Sequence, residues 1–209
     1  MAQNVYDDAE FFAQYATLRR SQEGLDGAPE WPTLRAMLPP LQGKRVLDLG
    51  CGYGWFCRWA RAAGAASVLG IDLSERMLER ARADTSDPAI TYLRASIDSA
   101  TLDAASFDVV YSSLALHYIA DFDALCRSVA RALVPGGHFV FSVEHPIYSA
   151  RTNPAWFELE GRKVWPVDSY LDEGERRSHW LGRDVVKYHR TIASYVSAHH
   201  ERLRHARPG

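Results

Sequence analysis

From Lys44 onward, short apolar runs alternate with stretches of helical periodicity. The runs at 44–49, Ser67–Ile71, Ile90–Leu93, Phe107–Tyr111 and His138–Val143 predict five strands. Between them, residues 55–63 have an amphipathic pattern closed by Gly64. Ser74 caps a helix through Ala83 whose inner face carries Met77, Leu78 and Ala81. Asp121 opens a third helix, to Leu133, and Pro135-Gly136-Gly137 stops it and turns the chain. Only Ser96–Ser106 is polar and irregular. Strands separated by helices predict a parallel sheet with right-handed crossovers. Ligands on such sheets bind beyond the carboxyl ends of the strands, where strand order reverses. Asp48, Asp72, Ala95-Ser96, Ser112-Ser113 and Glu144-His145 all fall at or just past predicted strand ends, so they converge on one rim.

The flanks obey other patterns. In 1–43, Asp7-Asp8 can cap a helix through about Thr17 with Phe11, Phe12 and Tyr15 on one face. Ser21–Glu30 is polar and glycine-bearing and predicts a mobile connection. Pro32–Leu38 predicts a short helix closed by Pro39-Pro40. Beyond His145, residues 146–190 carry seven aromatics: Tyr148, Trp156, Phe157, Trp165, Tyr170, Trp180 and Tyr188. They predict a hairpin-like cap or lid packed on the sheet edge, with Arg162–Tyr170 and Val185–Arg190 extended. Thr191–Arg204 predicts a last helix before a polar, basic tail. The expected organisation is one domain, 1–209, with its binding core at 44–145.

Composition narrows the class. A chain of 209 residues, 47% hydrophobic and 24% charged, suits one well-filled domain. The net charge of -2 steers it to neither nucleic acid nor acidic membranes. Residues 151–209 are mildly basic, with 11 Lys+Arg against 8 Asp+Glu. Cys51, Cys57 and Cys126 form no C-x-x-C pair and predict reduced thiols, and no metal site is expected. With no positive n-region and no apolar run near ~20 residues, the expectation is a soluble cytoplasmic protein.

The chemistry is concentrated in Lys44-Arg45-Val46-Leu47-Asp48-Leu49-Gly50-Cys51-Gly52-Tyr53-Gly54. A strand entering a glycine turn before a helix presents backbone N–H groups to a ligand. The dinucleotide fingerprint G-x-G-x-x-G fails here, because its third glycine position is Trp55. Asp48, just ahead of the turn, would repel a diphosphate and attract an ammonium or sulfonium group. Asp72, 20 positions after Gly52, can accept both hydroxyls of a ribose.

These motifs resemble those of the class I S-adenosylmethionine-dependent methyltransferases across residues 44–145, about half the chain. The resemblance implies a Rossmann-like α/β fold with a parallel sheet of order 3-2-1-4-5, helices on both faces, and S-adenosylmethionine as cofactor. It implies that Asp48, Gly50, Cys51, Gly52 and Gly54 form the loop against the cofactor and that Asp72 binds the ribose. Leu73 and Met77 would wall the adenine, with Ala95, Ser96 and Ile97 contacting the same ring. Ser96 stands where the family often has Asp, and Asp98 follows two residues later. Ser112, Ser113 and Leu114 would floor the methionyl part. Leu133-Val134-Pro135-Gly136-Gly137 matches a structural signature of the family. An N-terminal helix often lies across the cofactor there, which makes Tyr6 and Tyr15 candidate covers. Leu116-His117-Tyr118 and Ser142–Tyr148 resemble the branch that methylates small molecules.

Methyl transfer by in-line displacement needs alignment and water exclusion, with a base only if the acceptor must lose a proton. His117 and His145 are candidates for that base; Glu144 is a candidate to bind a cationic acceptor or set the His145 tautomer. A short-chain dehydrogenase is disfavoured, since no tyrosine has a lysine four residues on. No Asn/Asp-Pro-Pro-Tyr-like motif, Pro-Cys nucleophile or basic stripe points to nucleic acid. The family usually closes its sheet with two further strands, and none is expected in the polar C-terminal stretch. That leaves strand five an edge, with a homodimer or lowered stability as the consequence. A protein that binds the cofactor without turnover is the competing expectation.

Overall fold

The computed structural model describes residues 3–152 and 155–203. Three short helices come first: α1 (Ala9–Tyr15), α2 (Arg19–Gln22) and α3 (Trp31–Met37). The alternating core follows as β1 (Arg45–Leu49), α4 (Trp55–Ala62), β2 (Ser67–Asp72), α5 (Glu75–Ala83), β3 (Ile90–Arg94), β4 (Phe107–Ser113), α6 (Phe122–Ala132) and β5 (Leu133–Ser142). The chain continues through α7 (Pro146–Ser149) into two hairpins, β6 (Phe157–Leu159) with β7 (Arg162–Val164), and β8 (Gly174–Trp180) with β9 (Arg183–His189). It ends in α8 (Ile192–Leu203). The expected helix end at Arg204 and the tail beyond it lie outside the described residues.

All pairings in the main sheet are parallel, and its order is β3-β2-β1-β4-β5. The strands at its centre bury both faces, which is why they read as continuous apolar runs. Alternation along β1 sends Val46 to the face covered by α3 and α4, with Trp31, Leu34 and Phe56. Leu47 and Leu49 go to the face covered by α6, with Phe122, Leu125 and Val129. Caps fix the helix starts: Ser74 Oγ accepts from Met77 N at 3.2 Å, and Asp121 accepts from Ala124 N at 2.8 Å.

Four expectations are corrected. The stretch after Ser21 is ordered: α2 and a 3-10 turn at Gly24–Gly27 occupy it, and Arg20 is paired with Glu30. Pro135-Gly136-Gly137 does not precede β5 but lies within it. Leu133 pairs with Phe107 and the register then skips to Val109 with His138, so these residues form a bulge. The aromatic segment contains four short strands rather than two extended pieces. It does not cover the sheet edge either. Its β8–β9 hairpin lies over the rim, where Trp180 meets Phe11 and Tyr15 edge-on. The flank of β5 is taken by α8, whose His199 reaches the Phe139 carbonyl at 3.4 Å. Among the described residues, no strand follows β5 in this sheet.

Candidate functional site

The glycine turn is tied to β2 by its backbone. Gly50 N and Cys51 N both donate to the Ile71 carbonyl, at 2.8 and 3.0 Å. Gly50 has φ +78° and a Cβ there would collide with the Ala115 side chain, so the β1 and β4 loops touch at this point. Gly52 has φ +52° with open space where a Cβ would project. This open cradle is where a ligand can approach the backbone. Asp72 is locked beneath it: one carboxylate oxygen accepts from Gly52 N and the other from Ser74 N, both at 2.9 Å. Each oxygen retains a lone pair for a diol. Burial pushes the Asp72 pKa above its ordinary value, against the pull of the Ser74, Gly52 and Leu73 N–H groups.

A cavity of about 1230 Å³ extends from this cradle to the cap. Of the sequence-predicted residues, Gly50, Gly52, Asp72, Leu73, Met77, Ser96, Ile97, Ser113 and Leu114 line it. Asp48 and Cys51 line a smaller adjoining space of about 110 Å³ instead. Gly54, Ala95 and Ser112 line neither. Ser112 Oγ is a buried strut donating to the Leu49 carbonyl at 2.7 Å, and Gly54 packs against the Tyr92 hydroxyl. Ser96 hydrogen-bonds the adjacent Asp98, so these two side chains act as a pair. Both covering candidates, Tyr6 and Tyr15, line the cavity. Tyr6 shares a hydrogen bond with Tyr118 at 3.2 Å, which ties the N-terminal segment to the loop after β4.

Asp48 points where strand alternation sends it, onto the α4 face beneath the loop. It is 2% exposed and accepts from Cys57 Sγ at 3.3 Å. Burial raises its pKa to about 7. The folded value lies above the unfolded one, so Asp48 contributes stability below about pH 4 that is lost as pH rises through about 7. We expect Asp48→Asn to lack this loss. Its melting temperature relative to the native protein should climb from pH 4 toward about 7, as read by scanning calorimetry. A constant difference across that range would refute the assignment.

Around the small space, sequence reasoning missed Arg20, Glu30 and Trp55. Arg20 pairs with Glu30, which also accepts from Ser113 Oγ at 3.0 Å. Trp55 Nε1 is buried beside them with no acceptor. The Arg20–Glu30 pair, Asp48 and one orphaned donor thus surround a single space.

At the cap end, neither histidine is set up as a base. His117 is buried and its Nδ1 accepts from Glu144 N at 3.4 Å, which leaves the proton on Nε2. Burial, with Lys187 nearby, lowers its pKa to about 3. His145 Nδ1 caps α7 by accepting from Ile147 N at 3.2 Å. Glu144 does not orient His145; it pairs with Lys187 through both oxygens, at 3.0 and 2.9 Å. Tyr148, Trp165, Trp180 and Tyr188 of the expected aromatic cap line the cavity, but its polar lining residues escaped the sequence. A polar residue facing an internal cavity and one facing solvent give the same alternation.

An open parallel sheet with its order reversing beside a glycine turn, and an acid at the end of β2 under that turn, define a Rossmann-like α/β fold with a ligand site at its switch point. The model of the methyltransferase domain matches residues 47–141. The fold is similar to an S-adenosylmethionine-dependent methyltransferase of Mesorhizobium loti, at 57% identity and TM-score 0.81 over 86% of this chain and 82% of that one. It is also similar to a protein described in the same class from Listeria monocytogenes, at 48% identity and TM-score 0.79 over 83% and 82%. A malonyl-[acyl-carrier protein] O-methyltransferase of Erwinia pyrifoliae is 36% identical over 74% of this chain and 58% of its own. The chain spans about half the length of the O-methyltransferases it matches. It belongs to the class I S-adenosylmethionine-dependent methyltransferases, with S-adenosylmethionine as its cofactor. Among the described residues, no helix is long and apolar enough to cross a membrane.

Proposed function

We propose that the protein methylates a small-molecule acceptor held in the cap half of the cavity. One observation carries this: about 1230 Å³ exceeds the ~300–1,000 Å³ of a pocket for one ligand, and the two ends differ in chemistry. At the sheet end, Asp72 takes the ribose hydroxyls, while Leu73, Met77 and Ile97 wall the adenine. Gly52 gives the methionyl chain its closest approach to the backbone. The small space takes the amino-acid end: Arg20 and Trp55 Nε1 hold its carboxylate, and Asp48 and Glu30 face its ammonium. The open Gly52 cradle and the orphaned indole N–H are the features of this chain that fit the cofactor.

Bound S-adenosylmethionine supplies an activated methyl with a neutral thioether as leaving group. The chain contributes alignment and exclusion of water. Tyr6, Tyr15 and Tyr118 close the roof, and the touching loops at Gly50 and Ala115 fix the floor. With His117 and His145 both committed to backbone N–H groups, an acceptor that arrives already deprotonated suits the site best. The Erwinia relative's name points to oxygen as the methylated atom. The test is S-adenosylhomocysteine release across panels of carboxylates, phenols, amines and thiols, with products identified by mass. Turnover confined to nucleic acid or to protein side chains would contradict the proposal.

Trp55→Phe tests the amino-acid pocket separately. It removes a buried N–H that has no partner, so stability without ligand should hold or rise. S-adenosylhomocysteine should bind roughly tenfold more weakly in calorimetry, the loss of one hydrogen bond. Unchanged affinity would contradict the placement.

A further inference from the structure

We propose that the acceptor is an organic carboxylate seated on the β8–β9 hairpin by Arg176, with Ser178 and Arg151 beside it. This rests on the methyltransferase function proposed above and adds the charge class of the substrate. Arg176 and Ser178 lie two residues apart on β8 and both line the cavity. Directly across the ladder from Arg176 is Lys187, also on the cavity. Two cations in register destabilise a hairpin unless negative charge lies over them.

Only one of the two is neutralised. Lys187 has the Glu144 carboxylate at 2.9 Å. Among the described residues, Arg176 donates only to backbone carbonyls, those of Ala150 at 3.0 Å, Glu175 at 3.1 Å and Asp172. Carbonyls satisfy its donors without cancelling its charge, and two of its five N–H groups are left over. Nearby, Ser178 Oγ and Arg151 Nη1 are buried without an acceptor, and both residues line the same cavity. Arg151 is paired through Nε to Asp168 at 3.0 Å, and its guanidinium lies 4.7 Å over the Phe157 ring. The wall therefore offers donors and one uncompensated positive charge. A planar monoanion answers both, whereas a phosphate monoester brings nearly twice that charge. Glu144 is already matched by Lys187 and does not call for a cationic acceptor. The methionyl carboxylate already has Trp55 Nε1 and the Arg20–Glu30 pair at the small space. Tyr148 and Trp165, packed edge-on at 5.3 Å on the same wall, suit an apolar or aromatic body.

The experiment uses the full chain saturated with S-adenosylhomocysteine, titrated calorimetrically with 3-phenylpropionate and with its uncharged amide. The acid should bind about tenfold or more tighter than the amide, as expected for a charge-assisted contact. Arg176→Gln should abolish that preference, Arg176→Lys should recover part of it, and Ser178→Ala should reduce it. All three should bind S-adenosylhomocysteine as the native protein does. Binding of the uncharged amide at its native affinity shows the cap is still seated after the carbonyl contacts of Arg176 are lost. An amide bound as tightly as the acid by native protein, an acid that does not bind, or a preference undiminished in Arg176→Gln overturns the inference. Failure of S-adenosylhomocysteine itself to bind would instead overturn the cofactor site on which it rests.

Discussion

Replacing Asp72 by alanine is expected to weaken S-adenosylhomocysteine binding by roughly 100-fold or more. The carboxylate would make two hydrogen bonds to the ribose, each charge-assisted and worth about 1.5–3 kcal/mol. It also holds the cradle, since its two oxygens pin Gly52 N and Ser74 N at 2.9 Å. Both losses act on the same ligand. Asp72→Asn keeps one carboxylate-like oxygen and should fall between the native protein and Asp72→Ala. Calorimetric titration of the three proteins reads the order directly, and equal affinities would remove Asp72 from the site.

The second large effect separates two glycines that the sequence presents as equals. At Gly50, alanine brings left-handed strain of ~1–2 kcal/mol and a collision with Ala115 costing a further ~1–3 kcal/mol. The melting temperature should fall by roughly 5–15 °C, and cofactor binding should be lost as the β1 and β4 loops part. At Gly52 the added methyl meets no protein atom, so only the strain remains and melting should drop by just a few degrees. That methyl projects into the cradle, so binding should still collapse. Thermal melts with and without S-adenosylhomocysteine distinguish the two. Equal melting temperatures for the variants would contradict this account of the loop.

How much was legible depended on whether a residue's role is local or long-range. The strand and helix order followed from periodicity because the central strands bury both faces, and the caps at Ser74 and Asp121 announce themselves within one turn. Asp72 was legible for the same reason, being the acid that ends β2 beside the turn. Asp48 was legible as chemistry but not as geometry. Its direction depends on which face α4 covers, and the answer puts it under the loop, against Cys57, at the small space. The order around α2 comes from contacts that span more than a helical turn, one of them distant in the chain. Gly27 packs on the Arg19 carbonyl, Gly24 on the Trp55 ring, and Arg20 pairs with Glu30. The register skip at Pro135-Gly136-Gly137 needed the partner strand. The cap was least legible, because Arg176, Ser178 and Lys187 line a cavity while reading as solvent-facing polar residues.

A crystal structure with S-adenosylhomocysteine decides where the cofactor sits. The ribose hydroxyls should lie within hydrogen-bonding distance of Asp72, the amino-acid carboxylate against Arg20 and Trp55 Nε1, and the sulfur turned toward Glu144, Lys187 and the cap. A ligand seated instead on the cap hairpin, with Asp72 and Gly52 untouched, would contradict this placement.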